Sequence, residues 1–266
     1  LHFFFGVGSF LIPIIVAQTM SLGGSIPWSY WVLALLVLPV ALWVARVPSP
    51  ASPKSTSGQA ATEHQAGGET QSGFDARRAV ILISLLLGLY VGAEAAFGGW
   101  IYTYAVTLEL GDDTSAAYLT SAFWGALTVG RLVAIPVAMR FRPRTILLAD
   151  LLGCMASVGL ILVWTSSAVT LWLGALGLGF SMASIFPTAF TLAERRIPIT
   201  GAVSGWFLVA SSIGAMSVPW LIGQLFEPVG PQIAMTIILV DLVGALVAFV
   251  ALMKADTIPP ALGEGV

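Results

Sequence analysis

Charge is scarce in this chain. Only 9% of its 266 residues are charged and 58% are hydrophobic, whereas an average soluble domain is about 25% charged. The formal net charge is only −2, so the chain lacks the strongly basic surface that a nucleic-acid partner requires. This composition argues against an ordinary soluble domain and predicts a protein that lies in a membrane.

Reactive and metal-binding residues are also few. Cys154 is the single cysteine, so no intrachain disulfide can form, and His2 and His64 are the two histidines. The sequence has no H-E-x-x-H zinc motif and no G-x-x-x-x-G-K-[ST] phosphate loop. We therefore expect neither an intramembrane enzyme nor a self-contained ATP-driven pump, and no metal or cofactor.

Eight long apolar stretches fill most of the chain. A bilayer core of ~30 Å is crossed by about 20 apolar helical residues, and each stretch approaches or exceeds that length. The predicted membrane spans are residues 2–20, 27–46, 79–108, 114–139, 145–166, 168–193, 200–226 and 231–253. The predicted fold class is an all-α polytopic membrane protein.

The arginines and lysines at the ends of these spans or between them all lie on one side of the membrane. They are Arg46, Lys54, Arg77, Arg78, Arg140, Arg142, Arg144, Arg195, Arg196 and Lys254. The opposite loops carry none of them. Because cytoplasmic loops are enriched in arginine and lysine, we expect both termini to face the cytoplasm, and we expect the plasma membrane as the location.

A segment of different composition separates the spans into two groups. Residues 47–78 are rich in proline, serine, threonine and glycine, and such segments bury too little apolar surface to order themselves. We predict two spans in 1–46, a disordered cytoplasmic linker in 47–78, six spans in 79–253 and a cytoplasmic tail in 254–266. Many transporters have two six-span halves, so we expect a C-terminal portion whose first four helices precede Leu1.

Three stretches resemble the major facilitator superfamily. They are GRL at 130–132 followed by RFRPR at 140–144, GLGFSMASIFPT at 177–188, and GAVSG at 201–205 continuing to SIG at 212–214 and PWLIG at 219–223. The first is similar to the basic loop between the second and third helices of a half. The others are similar to the family's tenth and eleventh helices. The resemblance implies a six-helix C-terminal half that follows the last two helices of an N-terminal half.

Two further stretches resemble the branch of fucose permeases and sodium-dependent glucose transporters. They are LHFFFGVG at 1–8 and YVGAEAAFGGWIYTY at 90–104. This resemblance implies a sugar or similar polyol as substrate, coupled to protons or sodium. One position departs from the family pattern, because Met139 stands where the basic loop usually has an acidic residue before its first arginine.

Glu94 is the most informative ionisable residue within a span. It lies near the middle of the third span, at the depth where transporters bind substrates and ions. Tyr90 shares its helical face, and Trp100 and Tyr102 could stack on a sugar ring. Because Gly98-Gly99 should weaken and bend the helix here, we predict a substrate or coupling site at Glu94. The alternative is a carboxylate that only makes a buried packing bond.

Three other ionisable residues lie within predicted spans, where charge is costly and usually functional. Arg131 is expected to have a gating or structural role and to pair with an acid such as Glu194 or Asp150. Asp150 and Asp241 are candidates for ion coupling or gating. The alternatives are a helix-end partner for the basic loop in the case of Asp150 and a packing hydrogen bond in the case of Asp241.

Polar and aromatic side chains supply a second group of candidate substrate contacts: Ser184, Trp124 and Trp206. Ser184 stands beside Phe186-Pro187, and a proline kinks a helix by removing one backbone bond. Close helix packing is the alternative for the small residues, since Gly88-x-x-x-Gly92 and Gly201-x-x-x-Gly205 fit the small-residue interface pattern.

These observations predict a secondary active transporter that moves a small polar solute by alternating access, and the resemblance implies that the solute is a sugar. The expected partners are the solute, a coupling proton or sodium ion, the lipid bilayer and the four preceding helices. Two alternatives stay open. One is a transporter-like protein that binds or senses its ligand without moving it, and the other is a facilitator or efflux carrier for another small molecule.

Overall fold

The described part of the chain is helical throughout. The computed structural model describes residues 2–22, 25–47 and 72–255, and within them it contains helices and no strand. The helices are α1 His2–Ser21, α2 Ile26–Arg46, α3 Ser72–Thr107, α4 Asp113–Arg140, α5 Pro143–Val163, α6 Ala168–Met182, α7 Ile185–Glu194, α8 Gly201–Val229 and α9 Gln232–Ala255. The predicted linker at 48–71 and the predicted tail from 256 lie outside the described residues.

The helices reproduce the predicted spans in order. Seven helical segments of the described chain are long and apolar enough to cross a membrane, if α6 and α7 are taken together, and Phe5–Ser21 of α1 is a shorter apolar helix. The all-α polytopic class is therefore confirmed. One boundary differs, because α3 begins at Ser72, ahead of the predicted start of its apolar span. Arg77 and Arg78 are exposed there, so the helix continues past its apolar part.

The predicted continuous span at 168–193 is interrupted. Helix α6 ends at Met182 and α7 begins at Ile185, so the break lies at Ala183 and Ser184. Pro187 explains this position. It has no N–H to give to the carbonyl of Ala183, but it is tolerated in the first turn of a new helix. The break therefore precedes the proline by one turn.

Helix α3 is the centre of the bundle. It packs against α8 and α9 on one side and contacts α4, α6 and α7 on others. Helix α5 packs against α6, α7 and α9, and α1 packs against α4. Helix α2 packs only against α1 in the described chain, and its side chains are almost all exposed.

Glycines permit the closest approach in the bundle, between α3 and α8. A Cβ placed on Gly214 would lie 1.9 Å from the carbonyl oxygen of Gly88, and one on Gly92 would lie 3.1 Å from that of Gly214. Any larger residue at Gly214 would push the helices apart. The predicted packing role of Gly88 and Gly92 is thus confirmed. The pair at Gly201 and Gly205 has nothing within 4 Å in the described chain.

Candidate functional site

Glu94 is joined to the broken helix through Tyr90. The hydroxyl of Tyr90 donates to Oε2 of Glu94, and the same hydroxyl oxygen lies 3.1 Å from the carbonyl oxygen of Met182. Met182 is the last residue of α6, where carbonyls lose their helical partners. The helical spacing of four predicted the Tyr90–Glu94 contact, but sequence reasoning missed the Met182 carbonyl, because nothing in the sequence distinguishes a backbone group.

A second carboxylate lies on the other side of the break. Ser184 precedes α7, and its hydroxyl donates to Oδ2 of Asp150 on α5. Because that hydroxyl is used in this way, Ser184 makes no capping bond to its own helix. Asp150 therefore pairs with the broken helix, and not with the basic loop at 140–144 that sequence reasoning offered as its alternative partner. Glu94 and Asp150 thus flank one interruption.

Arg131 belongs to the same region. Its positive charge acts on both Glu94 and Tyr90, and its side chain lines a cavity of about 460 Å³. The cavity lies between α4, the start of α5 and the α6–α7 break, and Ser184 and Thr188 line it as well. An arginine, hydroxyl groups and a nearby carboxylate together offer hydrogen-bond donors and acceptors to a polar solute.

The cavity extends toward the end of the bundle that carries the loop arginines. Arg195 and Thr191 line its outer part. A neighbouring cavity of about 710 Å³ is lined by Arg142, Arg144, Arg195, Arg196 and Met253, among others. The loop between α4 and α5, the end of α7 and the end of α9 therefore meet at one end of the bundle, as the predicted up-and-down arrangement requires.

Asp241 lies apart from this region. It is in the middle of α9, and its Oδ2 atom approaches Gly92 of α3. That oxygen is buried and has no hydrogen-bond partner within the described residues. Gly92 is two positions from Glu94, which corresponds to about 200° around a helix. Asp241 and the partners of Glu94 therefore lie on opposite sides of α3.

Trp124 packs against α3 one turn beyond Glu94. A Cβ on Gly98 would lie 2.5 Å from Cζ2 of Trp124, so this glycine makes room for the indole. The ring also meets Phe5 of α1 edge-on, with centroids 5.8 Å apart. Helix α3 runs uninterrupted through Gly98 and Gly99, so these glycines do not break the helix, and Gly98 serves packing.

The remaining predicted contacts lie away from Glu94. Trp100 stacks on Phe226 and donates to the carbonyl oxygen of Pro219 at 3.1 Å, because a spacing of six residues turns it to another side of α3. Tyr102 donates to Asp113 at 3.0 Å, near the start of α4. Trp206 is 64% exposed on α8. The structure does not bring these three side chains together with Glu94.

The fold is a bundle of apolar helices, one of which is interrupted beside a cluster of polar side chains. A profile of the Major Facilitator Superfamily matches residues 1–219, so the chain belongs to this superfamily of transporters. A crystal structure of FucP, a superfamily transporter in the outward conformation, aligns with a TM-score of 0.56 at 24% identity. It covers 85% of this chain and 54% of FucP, and it supports the fold.

Sequence relatives carry two different names. Sodium-dependent glucose transporter 1 of Xenopus laevis is 29% identical over 85% of this chain and 50% of its own length. Major facilitator superfamily domain-containing protein 4A of Danio rerio is 33% identical over 56% of this chain and 29% of its own length. The resemblance to the branch of fucose permeases and glucose transporters is confirmed, and the chain spans about half the length of its curated relatives or less.

Proposed function

We propose that the protein carrying this chain is a secondary active transporter of a small polar solute. The single observation that supports this most is the cluster at the α6–α7 break. There Tyr90 links Glu94 to a helix-end carbonyl, and Ser184 links the break to Asp150. Interrupted helices with ionisable partners at the midplane are the places where transporters bind solutes and coupling ions.

A sugar is the substrate class that we propose. The cavity beside the break presents Arg131, Ser184 and Thr188, together with apolar side chains from α4 and α5. Hydroxyl-rich solutes need both donors and acceptors, and these residues supply both. The names of the glucose-transporter relatives agree with this class. Glu94 and Arg131 lie close enough to interact electrostatically, which favours a neutral polar solute over a strongly charged one.

We propose that the coupling ion is a proton or sodium and that Glu94 takes part in coupling. A carboxylate inside the membrane must be paired or neutralised, and Glu94 has both Tyr90 and the charge of Arg131 nearby. Arg131 and Asp150 then act as gating residues, because each lies beside the α6–α7 break. A change in the charge of Glu94 can affect the end of α6 through a single hydroxyl group, that of Tyr90.

The test is Glu94→Gln in the full-length gene product, reconstituted in liposomes, with Glu227→Gln as the matched control. Glu227 is exposed near the end of α8, so its substitution should change nothing. If Glu94 couples the ion, the glutamine variant exchanges labelled solute across the membrane but no longer accumulates it uphill. If Glu94 only binds solute, exchange and accumulation fall together.

Two results would contradict the proposal. Unchanged accumulation in Glu94→Gln would reduce Glu94 to a packing residue. Solute binding by the parent protein without any exchange would instead favour a binding or sensing protein.

A plasma-membrane location with both termini inside is part of the same proposal. A cysteine introduced at position 112 should then react with an impermeant reagent before permeabilisation. A cysteine introduced at position 142 should react only after it.

A further inference from the structure

Three helices meet around Gly92 in the centre of α3. A Cβ at this position would lie 2.6 Å from Cγ2 of Val218, 3.1 Å from the carbonyl oxygen of Gly214 and 3.1 Å from Oδ2 of Asp241. The first two atoms belong to α8 and the third to α9. The missing side chain of Gly92 therefore lets α8 and α9 pack closely onto α3, and a carboxylate oxygen and a backbone oxygen both approach this glycine.

Within the described residues, the junction around Gly92 offers no hydrogen-bond donor to Oδ2 of Asp241. That oxygen is buried, and the Gly214 oxygen, which also approaches Gly92, is another acceptor. An ionised carboxylate in an apolar interior is costly unless something compensates it. A proton on the carboxyl group would create a donor. A small cation bound at the carboxylate would supply the same single charge.

We propose that Asp241 is a second cation-responsive site, separate from the Glu94 cluster, which takes up one proton or one sodium ion at the junction of α3, α8 and α9. The inference rests on the proposed transport function, because it assigns a coupling site to that transporter. Without a bound proton or cation, the ionised carboxylate would draw water into the junction and loosen the packing of α9 against Gly92. Neutralised, it lets the three helices pack as the structure shows.

The titratable side chains on the helices around Asp241 do not donate a hydrogen bond to its Oδ2 atom within the described residues. Helix α9 packs against α3, α5 and α8. On α3, Tyr90 and Glu94 bond to each other, and on α5, Asp150 accepts from Ser184. The other titratable or charged side chains of these three helices and of α9 are Asp75, Arg77, Arg78, Tyr102, Tyr104, Arg144, Cys154, Glu227 and Lys254. None of the side chains described among them donates to Oδ2 of Asp241.

The site has a direct connection to the proposed solute site. Gly92 and Glu94 are on the same helix, two residues apart, and face different partners. A change in how tightly α9 and α8 hold α3 at Gly92 therefore moves the backbone that carries Glu94. Through Tyr90, the same movement reaches the end of α6. Binding of the cation and binding of the solute can thus share one mobile element.

The first experiment needs no substitution. The full-length protein in detergent is treated with dicyclohexylcarbodiimide, a lipid-soluble reagent for protonated carboxyl groups, and the modified peptides are measured by mass spectrometry. The reaction is run over a pH series in choline chloride and in sodium chloride at equal ionic strength. If sodium is the cation, it protects Asp241 from the reagent. If the proton is the cation, modification rises toward acidic pH and sodium has no effect. Modification that is absent, or equal in every condition, overturns the proposal.

The second experiment compares Asp241→Asn with the parent protein and with Glu94→Gln in proteoliposomes. Asparagine keeps the shape of the side chain and cannot change charge. We expect Asp241→Asn to exchange solute but to lose the dependence of accumulation on the cation that the first experiment identifies. If its accumulation and cation dependence match the parent, the inference fails and the proposed function stands. If the parent itself exchanges no solute, the proposed function fails, and the labelling result still decides whether Asp241 binds a cation.

Discussion

The α6–α7 segment and α8 both contain a proline inside a membrane span, yet only one of them breaks. The regular helix is interrupted at Ala183 and Ser184, ahead of Pro187. Helix α8 continues through Pro219 from Gly201 to Val229. The proline alone therefore does not decide whether a helix is interrupted.

The surroundings of the two prolines differ. At the α6–α7 break, hydroxyl and carboxylate groups from α3 and α5 engage the segment at Met182 and Ser184. Around Pro219, α8 is pressed against α3 at Gly214, and the nearby contacts are aromatic packing and one indole N–H. Freed backbone groups inside a membrane need internal partners. The break lies where neighbouring helices offer them, and the polar site lies there for the same reason.

The largest effect is expected from enlarging the contact that holds α8 straight. Gly214→Ala would place a methyl group 1.9 Å from the Gly88 carbonyl, and because backbone cannot move aside cheaply, the loss should reach or exceed about 3 kcal/mol. Gly205→Ala is the matched control on the same helix, where nothing lies within 4 Å. It should be neutral or stabilise the helix by up to about 1 kcal/mol. Unfolding of the purified chain in detergent measures both, and equal stabilities would contradict the close crossing.

Removing the hydroxyl that bridges α3 to the break should have the next largest effect. Tyr90→Phe leaves the Glu94 carboxylate without its donor and removes the hydroxyl that lies beside the Met182 carbonyl, which should cost about 2–3 kcal/mol. Tyr104→Phe is the control, since Tyr104 is equally buried on α3 but its hydroxyl has no partner within the described residues. The control should be neutral or slightly stabilising. A loss in both variants would show that any change at a buried tyrosine of α3 is costly.

The bond on the other side of the break should matter less. Ser184→Ala removes the donor to Asp150, and because Asp150 is only partly buried, water can replace some of that bond. The expected cost is about 1–2 kcal/mol. Ser121→Ala, which deletes a buried hydroxyl without a partner in the described chain, should be nearly neutral. The difference between the two free energies of unfolding is the measurement, and a difference of zero would remove Asp150 from the site.

The smallest effect is expected at the N-terminus of α4, which has a side-chain capping bond that α7 lacks. Asp112 caps α4, and hydrogen bonds from the Ser115 hydroxyl and backbone N–H hold the pKa of Asp112 below its ordinary value of 3.8. A lowered pKa contributes stability above the unfolded value, and that stability is lost as pH falls through the folded value. The melting temperature of Asp112→Ala should therefore lie slightly below the parent at neutral pH. The gap should close below about pH 3.8, whereas Asp112→Asn should show no such pH dependence.

Much of the fold follows from the sequence because the bilayer imposes it. A span of fixed apolar length must become a helix, so element number and order could be predicted from hydropathy. The exact place of the α6–α7 break could not, although Pro187 predicted a kink nearby. The polar partners of the freed backbone come from α3 and α5, and a single sequence does not reveal which distant helix supplies them.

The contacts of the site could be predicted from the sequence only where they join residues of one helix. The contact between Tyr90 and Glu94 follows from a spacing of four residues on one helix. The separation of Trp100 from Glu94 also follows from helical geometry, but the resemblance to sugar transporters favoured aromatic residues in the same stretch. The approach of Asp241 to Gly92 depends on the packing of α9 against α3, and no pattern within either helix indicates it.

The missing cap of α7 has a consequence for local stability. This helix is ten residues long, makes no side-chain bond at its start and packs mainly against α5 and α3. Its order is therefore maintained by its neighbours α3 and α5. The rate of amide hydrogen exchange along α7 should consequently be the first to change when either neighbour shifts. Exchange at this short helix therefore reports on the packing of the whole bundle.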